Sequence, residues 1–135
     1  MIGYQWRLSQ VNSRLWLVIW VALIVVVVVP WSSFETIPRW DRMEWIPFVS
    51  PPVDFLDVVG NVLFYAPYGF LFGVQAASTR RPVALAVGSA AILSISTELT
   101  QIFSNSRFPS MTDVVCNTIG AFAGAYLATS RRRKD

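Results

Sequence analysis

Three carboxylates, three carboxamides and one guanidinium stand in or beside strongly apolar stretches of this chain: Asp57, Glu98 and Asp113; Asn61, Gln101 and Asn117; and Arg107. Their spacing is regular. "DVVGN" at 57–61 and "DVVCN" at 113–117 each put an acid and an amide four residues apart, and Glu98 and Gln101 are three apart, so each pair shares one face of a helix. Two carboxylates in different surroundings are the groups that act as acid and base in glycosyl or acyl chemistry, and Glu98 with Asp113 is the candidate pair. Arg107 suits a phosphate or carboxylate, and Asp57, Asn61, Gln101 and Asn117 complete a candidate substrate-binding set. As hard oxygen ligands, Asp57, Glu98 and Asp113 also suit a Mg²⁺ or Ca²⁺ ion bridging to a pyrophosphate; no other cofactor is expected.

Other chemistries are excluded by what is missing. The 135 residues contain no His, the commonest general base and metal ligand. The single Cys116 rules out an internal disulfide and a cysteine-rich zinc site, and in its apolar setting it reads as a small filler rather than a reactive thiol. No Ser or Cys stands out as a nucleophile with a matching base.

The elements that must position these groups are membrane spans. The chain is 54% hydrophobic and 14% charged, with a mean hydropathy of +0.49, too apolar for a soluble domain of this length. A single all-α domain, residues 1–135, is expected, with spans at about 15–31, 55–74, 83–103 and 112–129. Arg7 and Arg14 before the first apolar run resemble a signal-peptide start. However, "VVVPWSSFE" lacks a cleavage motif, so that segment is read as a retained span. Arg7, Arg14, Arg80, Arg81, Arg131, Arg132, Arg133 and Lys134 fall on one side of such a bundle, which the positive-inside bias makes the cytoplasm, with both termini there. The basic tail reads as a topology anchor, with anionic lipid as an alternative partner. The loop at 32–54, rich in Trp, Phe and Pro, reads either as an interfacial segment or as a lid, and its prolines oppose a long helix.

With this topology the seven polar groups fall at one level, in the outer part of the bundle. Each carboxylate at a helix centre costs about 2.5 to 3.5 kcal/mol on insertion scales, so such acids face a bundle interior or a wet cavity. Simpler roles remain open for some of them. Asp57 and Asp113 stand at helix starts and suit capping, and Asn61 and Asn117 suit interhelical hydrogen bonding as well as a site. Glu98 lies near a helix C-terminus, where the dipole disfavours it, and needs a partner such as Arg107, a cation or a proton. At an offset of 56, "DVVGNVLFYAPYGFL" aligns with "DVVCNTIGAFAGAYL", as two duplicated helical hairpins would. Gly69 with Gly73, and Gly120 with Gly124, predict close helix contacts, and Pro67 predicts a kink.

The ordered motifs "DVVGNVLFYAPYGFLFG", "STELTQIF" and "SRFPSMTDVVCNTIGAFAG" resemble the VanZ-like membrane proteins, over about Asp54 to Leu127. One departure is that Ser110 stands where that family's turn has a further acid, if the position is present at all. The resemblance points to Asn61, Pro67, Gly69, Glu98, Gln101, Arg107, Asp113, Asn117 and Gly120. It implies a multi-pass protein of the bacterial cytoplasmic membrane with a cell-envelope role, in a family named for an association with low-level resistance to the glycopeptide teicoplanin. It implies no particular reaction. Three functions follow: an enzyme acting on a lipid-linked or envelope glycan; a non-catalytic protein that binds an envelope amphiphile or a partner; and, last, a small transporter, disfavoured because the inner halves of the spans carry no acid. Membrane lipids are expected partners, and nucleic acid is not.

Overall fold

The computed structural model describes residues 2–49 and 54–132. Pro51, Pro52, Arg133 and Lys134 lie outside the described residues, as do the side chains of Arg7 and Arg132. Four α-helices follow one another: α1, Ile2–Val28; α2, Phe55–Gln75; α3, Pro82–Gln101; and α4, Met111–Arg132. Among the described residues there is no strand. α2 with the short 3₁₀ turn that follows it, Phe55–Ser78, and α3 are long and apolar enough to cross a membrane; the apolar part of α1, Asn12–Val28, is shorter.

Each boundary has a local cause. α1 stops at Val28, short of the expected Trp31, because Pro30 has a fixed φ and pushes Val29 out of the α region. α2 starts on Asp54, whose carboxylate accepts from Leu56 N at 2.9 Å. α3 takes Pro82 in its first turn, where the missing N–H costs nothing. α3 ends two residues before the expected Phe103 because the carbonyls of Ile102 and Phe103 accept from the loop, from Arg39 N at 2.8 Å and Glu35 N at 2.7 Å. α2 runs through Pro67, which has no N–H for the Leu63 carbonyl. One residue on, the Phe64 carbonyl accepts from the Trp20 indole at 2.9 Å, tying α1 to that point of α2.

The core is made of small side chains. Ala86, Ala90, Ser94, Cys116, Ala121 and Ala125 are fully buried, while Leu15, Val18, Leu63, Ile92, Ile119 and Phe122 point outward. Large apolar groups outside and small ones within is the pattern of helices packed in lipid, where close backbone approach replaces hydrophobic burial. The glycine pairs carry it to its limit. A Cβ on Gly69 would strike the backbone of Ala121, one on Gly120 the backbone of Val62, and one on Gly124 the backbone of Ala66 and Phe70. These contacts advance together along both helices, so α2 and α4 run side by side in the same direction. Tyr65, Tyr68 and Ile24 complete the core with Ala90 and Ala121.

The loop at 32–49 folds back over the α3–α4 turn. Two isolated bridges hold it, Phe34 to Ser104 and Glu44 to Ser110, and Phe48 N donates to Thr112 Oγ1 at 2.9 Å although Phe48 sits at φ 62°, where a bulky side chain is strained. Its one helical turn is the 3₁₀ segment Trp40–Arg42. Trp40 and Trp45 stack at 6.3 Å on its exposed side.

Candidate functional site

Because α2 and α4 are parallel, the two acid–amide pairs arrive at the same end of the bundle, and the C-terminal end of α3 meets them there. A cavity of about 500 Å³ forms at that end, and all seven polar residues line it: Asp57, Asn61, Glu98, Gln101, Arg107, Asp113 and Asn117. Ser106 joins them. The remaining wall is apolar, with Val27 and Val28 of α1, Leu56, Gly60 and Phe64 of α2, and Phe108 of the turn.

The helix caps decide what the two aspartates are free to do. The N-cap of α2 is Asp54, three residues before Asp57, and Ser110 Oγ accepts from Thr112 N at 3.1 Å at the start of α4. Neither Asp57 nor Asp113 is therefore needed as a cap, and both turn toward the cavity. Asp113 sits near Asp57 and Glu44, and the Asn61 side chain lies within hydrogen-bonding reach of it. Two substitutions separate the roles. Asp54→Ala is expected to destabilise the fold by about 1 kcal/mol through loss of the cap. Asp57→Asn is expected to leave the thermal midpoint unchanged and to alter only ligand binding, as a melting series on both variants would read.

Glu98 is 2% exposed, and its Oε2 accepts from Ser110 N at 2.8 Å. The partner it needs is thus a backbone N–H, and among the described residues Arg107 belongs to neither ion pair, both of which are made by Arg39, with Glu35 at 3.8 Å and Asp41 at 4.0 Å. Arg107 acts on Glu98 and Asp113 across the cavity, leaving its guanidinium donors available there. Gln101 has a structural hold as well, donating to the Val28 carbonyl at 3.3 Å, so it closes the C-terminus of α1.

Asn117 has two distinct halves. Its Nδ2 donates to Ser94 Oγ at 2.9 Å, the interhelical bond the sequence allows, while its Oδ1 is buried with no partner in a residue 4% exposed. A buried acceptor without a donor costs about 1 to 3 kcal/mol. Nearby, the Tyr65 hydroxyl approaches Ser94 and Thr97 without completing a hydrogen bond.

Sequence reasoning missed Glu44 and Ser94. Glu44 comes from the loop: its backbone accepts from Met111 N and donates to the Pro109 carbonyl, each at 2.9 Å, and its Oε2 accepts from Ser110 Oγ at 3.2 Å. Nothing in the loop's composition marks it, since only the bridge to Ser110 brings it near Asp113. Ser94 lies four residues before Glu98, on the same face of α3, and that spacing was the available signal. Among the described residues no three His, Cys, Asp or Glu side chains are arranged to hold a metal ion.

Neither a curated protein nor a solved structure matches the chain. The VanZ/LLP1 family profile matches residues 9–132, which takes in α1 from Ser9 onward, the whole of α2, α3 and α4, and every residue of the cavity. By that match the chain belongs to the VanZ/LLP1 family.

Proposed function

We propose that the chain is a multi-pass protein of the bacterial cytoplasmic membrane, a four-span bundle with both termini cytoplasmic, whose cavity opens at the outer leaflet and binds the headgroup of a lipid-linked glycan. The unpartnered Asn117 Oδ1 carries this reading. A buried acceptor in a residue that lines the cavity calls for a donor, and sugar hydroxyls supply donors in number. Carboxylates and carboxamides accept from and donate to such hydroxyls, Phe64 and Phe108 offer apolar faces, and Arg107 provides the cation for the phosphate that joins glycan to lipid. The basic residues support the orientation. Arg14 donates to Gln75 at the far end of α2, Arg131 stacks on Phe70, and Arg80 and Arg81 precede α3, all at the end of the bundle away from the cavity. An envelope glycolipid in this cavity also accords with the glycopeptide link of VanZ-like proteins.

Asn117→Leu tests the proposal. It removes the Ser94 bond and the unpaired acceptor together, so the ligand-free protein is expected to change in stability by no more than about 1 kcal/mol. Binding of a glucosyl phosphate lipid is expected to weaken about tenfold, equivalent to about 1.4 kcal/mol. Unchanged affinity would refute the role of Asn117 and, with it, the headgroup reading. A divalent cation would be held by one or two of the cavity carboxylates, Asp57, Glu98 and Asp113, and would supply charge neutralisation for the phosphate. The same titration repeated in EDTA is then expected to weaken binding of the phosphorylated lipid and to leave a phosphate-free glycolipid unaffected.

A second reading, catalysis on the bound headgroup, is favoured by the placement of Glu98. A carboxylate fixed by one backbone donor and facing a cavity beside Asp113 is arranged for proton transfer, with Glu98 and Asp113 as acid and base.

A further inference from the structure

The cavity is not closed toward the membrane. On the side where α1 and α2 meet, its wall is Val27, Leu56, Gly60 and Phe64, and Val27 is 51% and Leu56 74% exposed. The seam between the two helices is narrow at its foot, where the Trp20 indole binds the Phe64 carbonyl and the two rings lie 5.9 Å apart. Above that point Gly60 opens it: a Cβ there would meet nothing within 4 Å. Gly60 differs in this from Gly69, Gly120 and Gly124 on the α2–α4 contact, where a Cβ would strike backbone. Its lack of a side chain serves no packing among the described residues and leaves a slot instead. From Leu56 to Phe64 the slot runs about 12 Å along α2 at 1.5 Å per residue, parallel to the hydrocarbon chains of the surrounding leaflet.

Resting on the headgroup reading above, we infer that the ligand enters sideways from the outer leaflet through the α1–α2 seam at Gly60, and that its hydrocarbon chain stays in that seam while its phosphorylated sugar lies within the cavity. The division of the wall carries the assignment. Glu98, Gln101 and Asn117 are buried at the polar side of the cavity, with Asp57 and Arg107 exposed at its opening, while Val27, Leu56 and Phe64 make an apolar side that has a gap at Gly60. A lipid phosphate matches both parts: its charge meets Arg107, and its chain need not leave the bilayer to reach the slot. A wholly water-soluble glycan would leave Val27, Leu56 and Gly60 without a role.

The test uses the full-length protein in nanodiscs with three probes that share one head: soluble glucosyl phosphate, farnesyl phosphoglucose and phosphatidylglucose. Gly60→Leu places a side chain in the slot from a position where its Cβ meets no neighbour within 4 Å. Gly88→Leu serves as the control, because a Cβ on Gly88 also meets nothing within 4 Å and that residue lies on α3 away from the cavity. Gly60→Leu is expected to weaken binding of the lipid probes at least tenfold and to leave soluble glucosyl phosphate within about twofold of wild type, with Gly88→Leu changing neither. The lipid probe that wild type binds more tightly identifies the chain as prenyl or diacyl. Equal affinities of Gly60→Leu and wild type for the lipid probes would overturn the seam, and so would an equal loss for soluble and lipid probes. Failure of wild type to bind soluble glucosyl phosphate, with lipid probes bound and blocked by Gly60→Leu, would instead overturn the headgroup reading and leave the seam standing.

Discussion

Gly124→Leu is expected to prevent assembly of the bundle. A Cβ at that position runs into the Ala66 carbonyl and comes within 2.7 Å of Phe70 N, and both are backbone atoms of α2 that no rotamer change can move. Helix propensity pulls the other way, since leaving glycine favours a helix by about 1 kcal/mol. The clash decides the sign, because relieving it means separating α2 from α4 along their whole contact, a loss expected to exceed about 4 kcal/mol. A thermal melt in detergent is expected to show no cooperative transition. A midpoint within a few degrees of wild type would mean that α2 and α4 do not approach as closely as their glycines indicate. At Gly60 or Gly88 the Cβ of the same substitution meets nothing within 4 Å and the variant is expected to be tolerated, so the three variants together separate glycine used for packing from glycine that leaves room.

Glu98→Gln carries the largest expected effect on function. The amide oxygen of glutamine can still accept from Ser110 N, and its volume matches, so the fold and the affinity for glucosyl phosphate lipids are expected to persist within about threefold. What is removed is the proton that a carboxyl group can give or take. On the catalytic reading proposed above, a positioned acid or base contributes about 10² to 10⁴ in rate, so any turnover of a lipid-linked sugar, followed by chromatography of the released head, is expected to fall by at least about 10². Turnover at the wild-type rate would remove Glu98 from the chemistry and reduce it to an anchor for the start of α4. Wild-type protein that binds the lipid and never converts it would leave the cavity as a receptor, with Glu98 serving binding alone.

Much of this arrangement was readable in the chain. Apolar runs and their breaks located α2, α3 and α4 to within about three residues at each end, whereas α1 begins at Ile2, well before the expected Leu15, because a helix continues through polar residues that hydropathy does not mark; Pro30 ended α1 early, and carbonyls taken by the loop ended α3 early. Asp57, Asn61, Glu98, Gln101, Arg107, Asp113 and Asn117 were legible as one level of the bundle because each is costly in an apolar segment, and all seven line one cavity. The glycine pairs were legible because four-residue spacing of small residues has few other uses in a helix of this composition.

Local pattern could not assign partners. Asp57 and Asp113 looked like caps because they stand near helix starts, but capping depends on the exact first turn, and Asp54 and Ser110 occupy it. Glu98 reads as needing Arg107, a cation or a proton, and residue types alone offer no choice among them; the donor that reaches it is Ser110 N. Glu44 has no sequence signature at all, and it comes near Asp113 only through backbone bonds to Pro109 and Met111. The sequence by itself determined which residues are apolar, which are ionisable and how they recur along a helix, because those properties belong to residue type and spacing. Only the tertiary structure decided which donor meets which acceptor, which acceptor is left open and which glycine packs or opens a slot, because each depends on distances of a few ångströms between segments far apart in the chain.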